Sequence, residues 1–248
     1  MISQLSEVDA EGFEQTGTHL IAYFAENVFK SYEINELLRA YTFAITTLEE
    51  KNWNEMWESN FEPVLIERFC AIRAEFHKPI PGVEHEIVIT PKMSFGTGHH
   101  ATTYMMIDQM GDIDFKEKTV LDFGTGTGIL AILAEKLGAK SIYAIDVEEW
   151  SYANALENIQ KNKCSKISVQ LTSQIPEVTY DVIVANINRN VILQYLTELE
   201  ERLNENGWLL ISGLLLSDEN DIRQSCSLKF VKQSSRGNWI SLLFIKCI

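Results

Sequence analysis

Val120-Leu121-Asp122-Phe123-Gly124-Thr125-Gly126-Thr127-Gly128 is the stretch on which the fold turns. A short apolar strand over residues 119–123 runs into a glycine loop, and a helix over 129–137, closed by Gly138, follows it. Glycines allow a sharp turn and a close ligand approach, the helix start offers free N–H groups, and ligands of open α/β sheets sit beyond the strands' carboxyl ends. A cofactor over this loop is the expectation. Gly126, Gly128 and Ala131 also satisfy G-x-G-x-x-A, with Asp146 following at about the twenty-residue distance of a dinucleotide site. Glycine spacing therefore leaves a nicotinamide cofactor open. Asp122 argues against it, because a strand-end carboxylate repels a pyrophosphate. S-adenosylmethionine has no phosphate, and its ammonium is attracted by such a carboxylate, directly or through water. Asp146, ending the next strand, is placed to accept from two ribose hydroxyls under either reading. The bland alternative is a tight turn in which both aspartates only cap helices.

Working outward, residues 141–146, 167–171, 180–186 and 208–214 read as strands, and 148–162, 191–203 and 218–225 as helices. Such alternation predicts an α/β fold with a parallel sheet covered on both faces. Residues 230–234 and 239–245 predict a closing hairpin over Arg236-Gly237-Asn238, adding an antiparallel edge. Upstream, residues 64–76 and 86–90 read as strands with Pro79, Pro81 and Gly82 turning between them. Residues 1–50 predict a small α+β piece, with a strand over 20–24 and a helix over 33–43 that places Ile34, Leu37, Leu38 and Tyr41 on one face. The aromatic, acidic stretch 52–60 reads as a helical linker. The division expected is a small domain over 1–50, a linker over 51–60 and a cofactor-binding domain over 61–248.

With 46% apolar and 23% charged residues, a packed core is expected rather than disorder. The run from Trp208 to Leu216 is far too short to span a bilayer, and the acids Glu7, Asp9 and Glu11 stand where a secretory signal carries bases. The expectation is a soluble, cytoplasmic protein without a membrane partner. Cys70, Cys164, Cys226 and Cys247 are scattered, with no CxxC pair, so neither a disulfide frame nor a metal site is expected. The formal net charge of -14 opposes a broad surface for DNA or RNA phosphates. It suits a small molecule or a basic protein partner.

Three further stretches carry a resemblance. Ser94-Phe95-Gly96-Thr97-Gly98-His99-His100-Ala101-Thr102-Thr103 resembles the pre-loop motif of the ribosomal protein L-eleven methyltransferase family. Glu50-Lys51-Asn52-Trp53-Asn54-Glu55-Met56-Trp57-Glu58-Ser59-Asn60-Phe61 is similar to its linker, and Val184-Ala185-Asn186-Ile187-Asn188 to its fourth-strand motif. The resemblance implies a doubly wound, seven-stranded Rossmann-like methyltransferase sheet joined to a small ferredoxin-like domain that recognises the substrate. It implies methylation, with S-adenosylmethionine, of the N-terminal α-amine and lysine side chains of a large-subunit ribosomal protein. The family's cofactor contacts fall on Thr103, Gly124, Asp146 and Asn186.

The chemistry of these residues accords with that. Phe95-Gly96-Thr97-Gly98 makes a pliable loop able to fold over a sulfonium. Thr103 begins a helix-like run whose hydroxyl and positive end suit the donor's carboxylate. Asn186 ends a strand facing the cleft, where its amide both accepts and donates. Asn186-Ile187-Asn188-Arg189 has no aromatic after the Asn to stack a planar acceptor, which favours an alkyl amine. The cofactor-binding residues expected are Thr103, Gly124, Asp146, Asn186, Phe95, Gly96, Asp122 and Gly126. No catalytic residue is assigned: His99 and His100 lie near the cleft, and a structural role, with His100 starting a helix, is the stronger reading. Two departures stand out. Residues 1–9 resemble the tail of the family's first helix, so the small domain is expected to be incomplete. Leu171-Thr172-Ser173-Gln174-Ile175-Pro176 lacks the family's acid near the adenine, leaving Ser173 or Gln174 to bond it. The alternatives are a methyltransferase of the same fold acting on another protein or a small-molecule amine, a nicotinamide-dependent dehydrogenase, and a binding protein without activity.

Overall fold

The structure, a computed structural model, describes residues 2, 5, 8, 10, 12–17, 19–25, 28–47, 61–92 and 96–247. The linker stretch 51–60, and Phe95 with it, lie outside the described residues. The chain divides into two compact units, residues 1–52 and 53–248.

In the first unit, β1 (Gly12–Thr16) pairs antiparallel with β2 (His19–Tyr23), and a single helix follows, α1 (Ser31–Leu37). The helix is shorter than the predicted 33–43. Only Ile34 on it is buried, while Tyr41 is 55% exposed. Short helices draw their stability from packing rather than from propensity, and residues 39–47 bring no buried apolar side chain to support another turn.

The second unit opens with a three-stranded sheet: β3 (Val64–Ile66), β4 (Cys70–Ala74) and β5 (His85–Ile89), with β3–β4 antiparallel and β4–β5 parallel. One strand was expected over 64–76. The chain instead reverses at Glu67-Arg68-Phe69, with Glu67 at φ 47° and Phe69 N donating to Ile66 O at 3.1 Å. No glycine or proline marks this turn, so the apolar pattern ran through it.

Helix α2 (Ala101–Met110) leads into the main sheet. Its remaining elements are β6 (Thr119–Phe123), α3 (Ile129–Lys136), β7 (Ser141–Asp146), α4 (Glu149–Lys161), β8 (Ile167–Leu171), β9 (Tyr180–Asn186), α5 (Arg189–Glu201), β10 (Leu203–Leu215), α6 (Glu219–Ser225), β11 (Lys229–Arg236) and β12 (Trp239–Ile245). The seven strands lie in the order β11-β12-β10-β9-β6-β7-β8. The five from β10 to β8 run parallel, and β12 and β11 join antiparallel. Strand β10 is longer than expected because Leu203 already pairs with Tyr180, ahead of an irregular stretch that ends at Trp208.

Side chains alternate across each strand, and the two faces form separate cores. Val120, Val182, Val184 and Leu210 pack with residues of α2 and α3, such as Met106 and Leu130, and with Ile72 and Ile87 of the small sheet. Leu121, Ile183, Ala185 and Ile211 pack on the other face with Leu196 and Leu199 of α5. Among the described residues, no helix is long and apolar enough to cross a membrane.

Candidate cofactor and acceptor site

The same alternation aims the candidate residues. Val120, Ala144 and Val184 belong to the core under α2 and α3, so two residues on, Asp122, Asp146 and Asn186 turn to that face as well. Register completes the arrangement. Phe123 is level with Ile145 on one side and Ala185 on the other, which sets Gly124 between Asp146 and Asn186 at the sheet's carboxyl edge.

The loop after β6 is held by hydrogen bonds at nearly every step. Gly124 N and Thr125 N both donate to Ile145 O at 2.9 Å, and Gly128 N donates to Thr125 O at 2.8 Å. Gly126 N donates to Asp146 Oδ2 at 2.8 Å, while Glu148 N donates to Asp146 Oδ1 at 3.0 Å. Gly124 has φ 78°, and a Cβ there would run into Ile187 Cγ2. Both the left-handed backbone and the contact demand glycine.

Asp122 is wholly covered. It accepts from Thr125 Oγ1 at 2.6 Å and from Ala131 N at 3.2 Å, in the first turn of α3, leaving Oδ1 without a partner. Burial pushes its carboxyl up to about 7, against the lowering pull of those two donors, and the neighbouring Asp146 adds to the rise. Asp122 thus caps α3 from inside the sheet, in place of Gly128, which has no side chain to do so.

Asn186 is part-exposed, and its Nδ2 donates to Thr103 Oγ1 at 3.2 Å, while its Oδ1 lacks a partner among the described residues. Thr103 lies in α2 with no exposed surface. The sequence expected Asp122 and Thr103 to meet the ligand. The structure turns both inward, and leaves Gly124, Asp146 and Asn186 part-exposed at the edge. Gly96 O accepts from Thr127 Oγ1 at 2.7 Å, which ties the pre-loop to the glycine loop. His100 takes the helix-start place, accepting from Thr102 N at 3.4 Å, with its ring 4.7 Å from that of Trp239. His99 Nε2 lies 2.9 Å from Glu62 O. Ser173 and Gln174 are exposed beyond β8, and Thr172 N donates to Asp146 O at 2.8 Å.

The profile of the family described as "Ribosomal protein L11 methyltransferase (PrmA)" matches residues 3–246. The chain belongs to that family. The "Ribosomal protein L11 methyltransferase" of Porphyromonas gingivalis is 38% identical to it, over 98% of this chain and 88% of the relative. That of Phocaeicola vulgatus is 36% identical, over 96% and 90%. Among solved structures, the "ribosomal protein L11 methylase" of Lactobacillus delbrueckii subsp. bulgaricus superposes with a TM-score of 0.70 at 32% identity, covering 76% of this chain and all of that one. Membership in a methyltransferase family removes the dehydrogenase alternative that the glycine spacing had left standing.

Sequence reading missed a row of asparagines on α4. Asn162 Oδ1 accepts from Val88 N at 3.0 Å, its Nδ2 donates to Val88 O at 2.6 Å, and Asn158 Oδ1 accepts from Thr90 N at 2.7 Å. These side chains take up backbone groups of β5 and the residue after it, on the edge that β4 leaves open. The signal was present: Asn154, Asn158 and Asn162 recur every fourth residue on one helix face, although Asn is a poor helix former.

Proposed function

We propose that this chain transfers methyl groups from S-adenosylmethionine to amines, the N-terminal α-amine and lysine side chains, of the large-subunit ribosomal protein L11. The observation that carries the reading is the row Asp146, Gly124, Asn186 along one sheet edge, in a chain matched to that family from residue 3 to 246. The residues suit this cofactor. Asp146 presents a carboxylate to a ribose diol, Val147 beside it is 63% exposed and offers an apolar face to a purine, and glycine at 124 allows close approach. Asn186 Oδ1 is a buried acceptor without a donor, a state that costs about 1–3 kcal/mol until filled.

The bound donor supplies an electrophilic methyl group on a sulfonium. The chain's own task is alignment, since in-line displacement gains most from proximity and orientation. Asn186 Oδ1 accepts one N–H of the incoming amine and so aims its lone pair, and Thr103 fixes the Asn186 amide. A lysine amine, with a reference pKa of about 10.4, must react neutral, and desolvation on docking beside the donor's positive charge would favour that form. The net charge of -14 draws a basic protein toward the cleft. Asp122 and Thr103 act from behind the surface, through the loop and the amide they hold.

Incubation with radiolabelled S-adenosylmethionine and undermethylated large ribosomal subunits tests the reading. Label should appear on L11 as methylated amine. Label on another protein, or none from an enzyme that binds the donor, rejects the substrate assignment.

A further inference from the structure

Thr127 and Asn158 both have no exposed surface, so neither touches a ligand, yet together they join the parts that do. The Thr127 hydroxyl donates to Gly96 O at 2.7 Å, and the Thr127 carbonyl accepts from Asn158 Nδ2 at 2.8 Å. Asn158 also accepts from Thr90 N at 2.7 Å. Thr90 follows β5, and Gly96 precedes α2, which carries Thr103. Two side chains therefore fix the glycine loop against both the point where the chain leaves the small sheet and the point where it enters the helix behind Asn186. Beside them, Asn154 is almost wholly buried and its Nδ2 has no partner among the described residues. A brace serving folding alone is better built from apolar side chains, because unpaired buried amides are costly.

We propose that Thr127 and Asn158 are positioning residues for cofactor binding, setting the distance between the glycine loop and the segment from Gly96 to Thr103. The inference rests on the S-adenosylmethionine reading above. Removing the Thr127 hydroxyl frees Gly96 O, loosens the start of α2 relative to Gly124, and weakens the donor site without altering any residue that meets the ligand.

Calorimetric titration of the full chain with S-adenosylhomocysteine, the demethylated product, tests it. Thr127→Val should bind about tenfold more weakly, the scale of one buried hydrogen bond, and Thr127→Ser should restore the wild-type value. If Thr127 acts through α2, the losses from Thr127→Val and Thr103→Val should combine to less than their sum. A merely structural role lowers the melting temperature but leaves affinity unchanged and the pair additive, and either result overturns the inference. A wild-type chain that does not bind overturns the cofactor reading and this inference together. Wild type and Thr127→Val that bind equally overturn this one alone.

Discussion

The two sides of the cleft are built differently. On the side of β6 and β7, backbone donors of the loop and of the helix after it are engaged: Gly124, Thr125, Gly126, Gly128 and Ala131 each have an acceptor within 3.2 Å, and the atom without a partner among the described residues, Asp122 Oδ1, lies wholly covered beneath them. On the side of β9 and β10, the acceptor Asn186 Oδ1 is unfilled, and Leu215 and Leu216 stand 40% and 47% exposed. Arg189 there bridges Asp218 at 3.5 Å and Asp221 at 2.5 Å, clamping the segment after β9 to the one after β10. The contrast accords with the role proposed for each side. A small cofactor of fixed shape rewards a site that is complete before binding. In the proposed reading a protein side chain arrives with its own donors and apolar surface, and Asn186 Oδ1 and the two leucines are their counterparts.

The largest break in this comparison should come from Gly213→Ala. Gly213 sits at φ 88° in the β10 irregularity, where a Cβ would collide with the Ile187 carbonyl. Backbone opposes backbone there, so nothing flexible can yield. A loss of about 3 kcal/mol or more is expected, read as a drop in melting temperature of roughly 10 °C. A shift of under 2 °C, about what half a kcal/mol produces, would show that the wall is not braced at this point.

A crossed pair sharpens the comparison next. Asp146→Ala removes the proposed ribose acceptor and the Gly126 anchor together, and should weaken donor binding on the order of a hundredfold in calorimetry. Asn186→Ala should lower turnover by roughly tenfold or more while donor affinity moves much less. Full turnover in Asn186→Ala with unchanged affinity would remove Asn186 from the acceptor side.

The smallest effect concerns charge. Folded Asp122 keeps its proton up to about 7, whereas its ordinary value is 3.8. Below about pH 4 both states are protonated and the carboxyl is neutral in stability. As pH climbs from there toward 7 the unfolded chain alone ionises, so this group progressively disfavours the fold, and the penalty levels off above 7. Asp122→Asn should therefore gain melting temperature on wild type at pH 8 relative to pH 5, on the order of a few degrees. An equal offset at both values would mean that the buried carboxyl does not titrate in this range.

Much of the main sheet was legible because each strand carries its own signal. Strands β6, β7, β8 and β9 begin and end where their apolar runs do, and period two, once the parallel register aligns the strands, sends Asp122, Asp146 and Asn186 to one face. The turn at Glu67 was not legible, since it has no glycine or proline where the chain changes course. The early start of β10 was hidden for the opposite reason: Asn206-Gly207 reads as a break before a strand, yet Leu203 on its far side already pairs with Tyr180. The helix over 33–43 was overextended because amphipathic spacing shows which side would be buried, not whether a core exists to bury it.

The chain's residues determined by themselves the order of elements in the main sheet, the glycine loop after its first strand and the family, all properties of local pattern and short motifs. Only tertiary structure decided which candidates reach the surface. Asp122 and Asp146 look alike in the sequence, yet Asp122 has no exposed surface and Asp146 is part-exposed at the sheet's edge. The difference lies in depth: Asp122 is one residue short of its strand's end, beneath the first turn of α3, and Asp146 is the last residue of its own. Burial is a sum over neighbours distant in sequence, and no local pattern contains that sum.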